Sequence, residues 1–201
     1  MGRNSSGVRG GLQPGDATYH GKVDGIETLK NIKDPQVYKD TKEAISRYHA
    51  VMGVRQREVK LANLGAGTLG VHVTENGQSK AVYLNKKTFK QKEKDIKAQT
   101  NEGYKSGWHT QTNKPMAHTI THELAHATWN SHLSAPNAKA ATKEVTTLYK
   151  SWLKDKSKTG YGRYARTNVN EFWAETVTKA VHGKSDKYTT AVKRIAKKYK
   201  L

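Results

Sequence analysis

Apolar positions recur at helical spacing from Asp40 to Val54. In "DTKEAISRYHAVMGV", Ala44, Ile45, Tyr48, Val51 and Met52 share one stripe. That spacing predicts an amphipathic helix, and Gly53 stands near its end, where a C-cap belongs. The period then falls to two. "REVKLANL" alternates Val59 and Leu61 with polar neighbours, "TLGVHVT" alternates Leu69, Val71 and Val73, and "KAVYLN" reads as a third short strand. Gly65, Gly67 and Asn76-Gly77 separate these runs, and Asn-Gly is a strong hairpin signal. The pattern predicts an antiparallel meander over residues 57–85. "TFKQKEKDIKAQT" reads as a solvent-facing segment, helical or irregular.

The remainder is patterned as helix. One helix carries "HTITHELAHATWN". A second spans Ala138 to Lys154, with Ala141, Val145, Leu148 and Trp152 on one stripe. A third begins near Asn168 with "NVNEFWAETVTKAV". "SDKYTTAVKRIAKKYKL" reads as a basic amphipathic helix packed through Ala191, Ile195 and Tyr199. Strands followed by helices indicate an α+β fold. Residues 1–35, rich in Gly, Ser and Asp with Pro14 and Pro35, read as a flexible or extended N-terminal segment. Residues 36–201 form the domain.

Composition narrows the chemistry. Lys and Arg outnumber Asp and Glu by 36 to 17, a net charge of +19. A charge that large suits nucleic acid or another polyanion, and equally a solvated lysine surface. There is no cysteine, so a zinc site must use His and carboxylate. No apolar run approaches the ~20 residues of a membrane span, and the N-terminus lacks the apolar core of a secretory signal. A cytoplasmic or virion-associated protein is the expectation.

The candidate chemistry lies at His122-Glu123-Leu124-Ala125-His126, an HExxH motif. Residues four apart on a helix share a face, so both imidazoles can reach one zinc ion while Glu123 acts as general base. His118 shares that face but lies about 12 Å along the helix from His126, too far for the same ion. It reads as a helix-start residue, a support for the ligands or a cleft residue. His132 falls where the metzincin pattern places a third histidine. The glycine of that pattern is Trp129 here, whose Cβ resists the sharp turn, and no methionine follows for a Met-turn. A third ligand is better sought in "NEFWAE", where Glu171 and Glu175 are four apart. Two such carboxylates repel in a bare helix, and a shared dication would relieve that. Glu171 with Asn168 also resembles a capping-box pair.

"HELAH" together with "YARTNVNEFWAET" resembles the catalytic-domain family of anthrax lethal factor and related gluzincins, which is similar to zincin-like domains of phage head-associated proteins and bacterial toxins. The resemblance covers about residues 40–185. It implies a zincin-like fold, with a small antiparallel or mixed sheet, an active-site helix carrying HExxH and a following helical subdomain. It implies a Zn2+ metalloendopeptidase in which His122, His126 and Glu171 bind the ion and Glu123 is the base. Glu175 becomes the carboxylate that orients a ligand histidine, and Tyr164 the oxyanion stabiliser, with Tyr161 a nearby competitor. A protein or peptide substrate would lie extended along an edge strand, for which "KAVYLN" at 80–85, the last strand before the active helix, is the candidate. The rival expectation is a basic nucleic-acid-binding or structural virion protein with a non-catalytic zinc site. It draws on the net charge and on Lys193, Arg194, Lys197, Lys198 and Lys200 of the C-terminal helix.

Overall fold

The computed structural model describes residues 22–75 and 78–201. It is an α+β fold in which a small four-stranded mixed sheet is followed by a mainly helical half. The Asn76-Gly77 turn and residues 1–21 lie outside the described residues. A short strand, β1 (Asp24–Glu27), comes first, then α1 (Pro35–Met52) and the strands β2 (Val59–Asn63), β3 (Gly70–Glu75) and β4 (Gln78–Asn85). Helices α2 (Lys86–Phe89), α3 (Glu93–Lys105), α4 (His118–His132), α5 (Ala138–Lys154), α6 (Val169–His182) and α7 (Lys187–Tyr199) complete the chain.

The end of the first helix follows its pattern. α1 stops at Gly53, which adopts φ 65° and donates its N–H to the His49 carbonyl. Its start lies earlier than the apolar stripe suggests. Asp34 caps it, accepting from the N–H groups of Gln36 and Val37, and Pro35 fills the first turn, where a missing N–H costs nothing. Residues 24–27, before it, form a strand. β1 pairs antiparallel with β2, and Glu27 bridges Lys90 at 2.8 Å.

The strand order corrects the meander. The sheet runs β1-β2-β4-β3, with β2 and β4 parallel and the other two pairings antiparallel. "KAVYLN" is therefore a central strand and not the exposed edge. Its composition gives the reason. Ala81, Val82, Leu84 and Asn85 are all buried, so β4 is covered on both faces, as interior strands are. Among the described residues the free edges belong to β1 and β3.

Helix α4 lies against β3 and β4 on one side and α6 on the other, with α1 alongside. It is buried almost throughout because Ile120, Leu124, Ala125, Ala127 and Trp129 face these three neighbours in turn. Polar cross-links fix its position. The Tyr48 hydroxyl on α1 reaches the Leu124 carbonyl at 3.0 Å and Thr128 Oγ1 at 2.6 Å. Trp173 Nε1 on α6 donates to the Ala125 carbonyl at 3.2 Å, and its ring packs on Trp129 with centroids 5.0 Å apart. α4 runs unbroken through Trp129 to His132, without the turn a metzincin would need there.

The Tyr48 link has a measurable consequence. Tyr48→Phe keeps the ring but leaves Thr128 and the Leu124 carbonyl short of a buried partner. Unfolding free energy is expected to fall by about 1–3 kcal/mol. Urea denaturation tests this, and an unchanged midpoint would remove the hydroxyl from the account of how α4 is held.

Candidate metal centre

The two histidines of "HELAH" project from one face of α4, as residues four apart must. α6 packs opposite them and supplies the carboxylates. Asn168 caps α6 by accepting from the N–H groups of Asn170 and Glu171. That cap starts the helix so that Glu171 and Glu175, one turn apart, both face α4.

The outcome is a compact triangle. His122 Nε2 and His126 Nε2 are 3.0 Å apart, and Glu171 Oε2 lies 3.1 Å from the first and 3.2 Å from the second. Ligands at 2.0–2.1 Å in a tetrahedral zinc site stand about 3.3 Å from one another. The three side chains are no more than 3% exposed. They form a buried group that could hold a metal ion, and the chemistry of the donors fits one. Imidazole nitrogens and a carboxylate oxygen can present lone pairs to one point, where a cation would satisfy all three together.

The electrostatics agree. Burial lowers the His122 pKa, but Glu171 and Glu175 outweigh it and raise it well above the usual range. Burial lowers His126, although Glu171 opposes this. Burial would raise the Glu171 carboxyl, yet His126 and His122 hold it at about 2. The carboxylates thus draw positive charge to His122, while burial keeps His126 neutral.

Glu175 does not join the triangle. Its Oε1 sits 3.0 Å from His122 Nδ1, the ring nitrogen facing away from the other two donors, and its Oε2 accepts the Thr110 N–H at 2.6 Å. A carboxylate on the far nitrogen of a ligand imidazole fixes its tautomer and ring orientation. His118 also reaches Glu175 Oε1, at 3.2 Å. It begins α4, contacts the carboxylate behind His122 and lines the adjoining cleft. His132 belongs to neither metal-competent group found among the described residues. It lies near Trp129 and Tyr199 at the far end of α4.

Glu123 faces the other way from a mere helix-surface glutamate. It is fully buried, and neither carboxylate oxygen finds a hydrogen-bond partner among the described residues. Burial pushes its carboxyl up to about 8, opposed by His122 and reinforced by Glu171. The start of β3 closes over it, and a Cβ on Gly70 would stand 2.9 Å from Glu123 Cγ. A cleft of about 750 Å³ opens beside it, lined in part by Leu69, His109, His118, His122 and Arg163.

The two tyrosines separate cleanly. The Tyr164 ring stacks on His122 at 5.7 Å with a 14° tilt, and on Trp108 at 5.2 Å. Tyr161 turns away, its hydroxyl 3.0–3.1 Å from both Asp186 oxygens and its ring beneath Lys179. Tyr164 is held by paired loops. Its N–H donates to the Trp108 carbonyl, Arg163 N–H to the Gly107 carbonyl, and Gly162 N–H to Thr110 Oγ1.

Sequence reasoning missed two neighbouring histidines. His72 on β3 stacks on His126 at 5.7 Å and contacts Asn130, and burial lowers its pKa to about 3. The His109 ring packs against His118 with centroids 4.8 Å apart, and it lines the cleft. A histidine within the apolar alternation "VHV" is the only sequence signal for the first. "WHT" offers none for the second. In the basic C-terminal helix, Arg194 and Lys198 each bridge Glu144 on α5 at 2.7 Å, so part of the positive charge cross-links helices. Tyr188 and Tyr199 are packed rather than displayed.

In metal-free protein the folded Glu123 carboxyl keeps its proton up to about pH 8, whereas an unfolded one titrates near 4.5. Its contribution is complete at low pH and is lost as pH rises through that interval. Glu123→Gln is therefore expected to gain on wild type by a few kcal/mol between about pH 5 and about pH 8. Urea midpoints in chelator would show it, and a pH-independent difference contradicts burial as the cause.

No protein-family model, curated protein or solved structure matches this chain, so the reading of the centre stands on its geometry.

Proposed function

We propose that the chain is a zinc-dependent metalloendopeptidase of zincin type. The observation that carries this is the triangle of His122, His126 and Glu171 donors at 3.0–3.2 Å, with the buried carboxylate of Glu123 beside it at the head of a cleft. Three protein ligands leave the fourth position of a tetrahedral ion open, which is the catalytic pattern; structural zinc sites usually close it with a fourth side chain.

Zinc in this site supplies Lewis acidity toward a water molecule and the scissile carbonyl. The protein's residues do the rest. Glu123 accepts a proton from the attacking water and delivers it to the departing amine nitrogen. A carboxyl whose pKa burial raises suits both halves of that transfer, because it holds the proton between the two steps. Tyr164, stacked on His122, donates a hydrogen bond to the carbonyl oxygen as charge develops there. Glu175 keeps His122 in the tautomer that turns Nε2 toward the centre. The substrate backbone adds as a strand to the free edge of β3, whose first residue approaches Glu123. The resemblance to lethal factor-like domains supports this reading and suggests a phage or toxin setting.

Three variants separate the roles. Glu123→Gln is expected to keep zinc by elemental analysis and to lose peptide cleavage by about 10²–10⁴-fold. Tyr164→Phe should lower kcat by about 10–10³-fold and leave KM near that of wild type. Glu171→Gln should lose zinc at micromolar metal. Zinc-loaded wild type that cleaves nothing in a broad peptide library would overturn the proposal in favour of a non-catalytic zinc site.

A further inference from the structure

Glu175 collects more partners than the support of one histidine requires. Thr110 N–H occupies its Oε2. Oε1 meets His122 Nδ1 at 3.0 Å, His118 Nε2 at 3.2 Å and His109 Nδ1 at 4.0 Å. A carboxylate oxygen has two lone pairs, so the His122 contact leaves one directed at the other two imidazoles. The His109 separation is too long for a hydrogen bond. It is wider than the about 3.3 Å between donors of one tetrahedral ion, so an ion bound there draws the His109 ring inward.

We infer that His109, His118 and Glu175 form a second divalent-cation site in the wall of the cleft, adjacent to the His122–His126–Glu171 centre and separate from it. His109 Nδ1 is buried and has no hydrogen-bond partner among the described residues. The ring is held for this position. Trp108 and His109 N–H groups both donate to the Gly103 carbonyl, and a Cβ on Gly103 would collide with the imidazole. His118 is equally prepared. Its Nδ1 lies 3.4 Å from the Tyr104 hydroxyl, which is 2.8 Å from Thr112 Oγ1. With Tyr104 donating to Thr112, the Nδ1–H of His118 donates to Tyr104, and Nε2 presents its lone pair to the site.

Two imidazoles and one carboxylate favour a borderline ion such as Zn2+, Co2+ or Ni2+ over Mg2+ or Ca2+. His109 and His118 line the cleft, so water can complete the coordination and the ion can exchange. The second ion draws on the same Oε1 that orients His122, so its occupancy is coupled to the first centre. The inference extends the proposed zinc chemistry to a further site, and its test separates the two.

Crystals of the full chain soaked in zinc chloride, with anomalous differences measured at the zinc edge, decide it. Wild type should show two peaks, and the one at His109, His118 and Glu175 should fill at the higher zinc concentration. His109→Gln should lose that peak and keep the other, and equilibrium dialysis should fall from two zinc ions per chain to one. A wild-type peak at His122, His126 and Glu171 alone overturns the second site and leaves the peptidase proposal standing. No peak at either position overturns both. A second peak that survives in His109→Gln also overturns the inference.

Discussion

Buried ionisable groups must neutralise one another, and that constraint organises this molecule. Glu123, Glu171, Glu175, His118, His122 and His126 all lie between or beside α4 and α6, each no more than 3% exposed. Isolated in an apolar interior, each would lose its charge or destabilise the fold. They are tolerable only because α6 sets carboxylates against the imidazoles of α4 at 3.0–3.2 Å. The hydrophobic contacts serve that registration. Trp129 against Trp173, and Trp173 Nε1 on the Ala125 carbonyl, fix how far one helix slides past the other. A shift of one helical turn, about 5.4 Å, would part every one of these pairs.

Glu123 departs from the pattern. Its two oxygens find no partner, and the start of β3 presses close enough that Gly70 has no room for a side chain. A stable fold gains nothing from an unsatisfied buried carboxyl. A buried carboxyl of this kind beside a cleft is a candidate functional group, held at some expense of stability. The loops that hold Tyr164 add to the picture. Residues 107–110 bond to residues 162–164 and, through the Thr110 N–H, to Glu175. One short segment therefore positions both the aromatic ring over His122 and the carboxylate behind it.

Much of the centre was legible because helical periodicity is local. HExxH places His122 and His126 on one face without further help, and the four-residue interval in "NEFWAE" does the same for Glu171 and Glu175. The interval alone did not show which of the two meets the histidine pair. That follows from the rotation of α6 against α4, which carries Glu171 to the histidine pair and Glu175 to the far side of His122. Tyr161 and Tyr164 are both near the motif in sequence, and the tie of Tyr161 to Asp186 sets it apart. The sheet was read less well. Alternation identified β2, β3 and β4 but not their order. The nearly unbroken apolar run in β4 was the available hint that it lies inside. His109 escaped notice because nothing near it in the chain points to the cleft it lines.

The sequence by itself determined most of the helices and strands, the glycine end of α1 and the relative placement of residues within one helix, since those follow from covalent geometry over a few residues. It also excluded thiolate ligands and supplied the histidines and carboxylates. Only the tertiary structure decided which of them meet. His126 and Glu171 are 45 residues apart and His122 and Glu175 are 53 apart. Their contact depends on how two helices and a sheet bury their apolar faces together. The same packing made β3, and not β4, the open edge beside Glu123, because the strand with two apolar faces has to be covered on both.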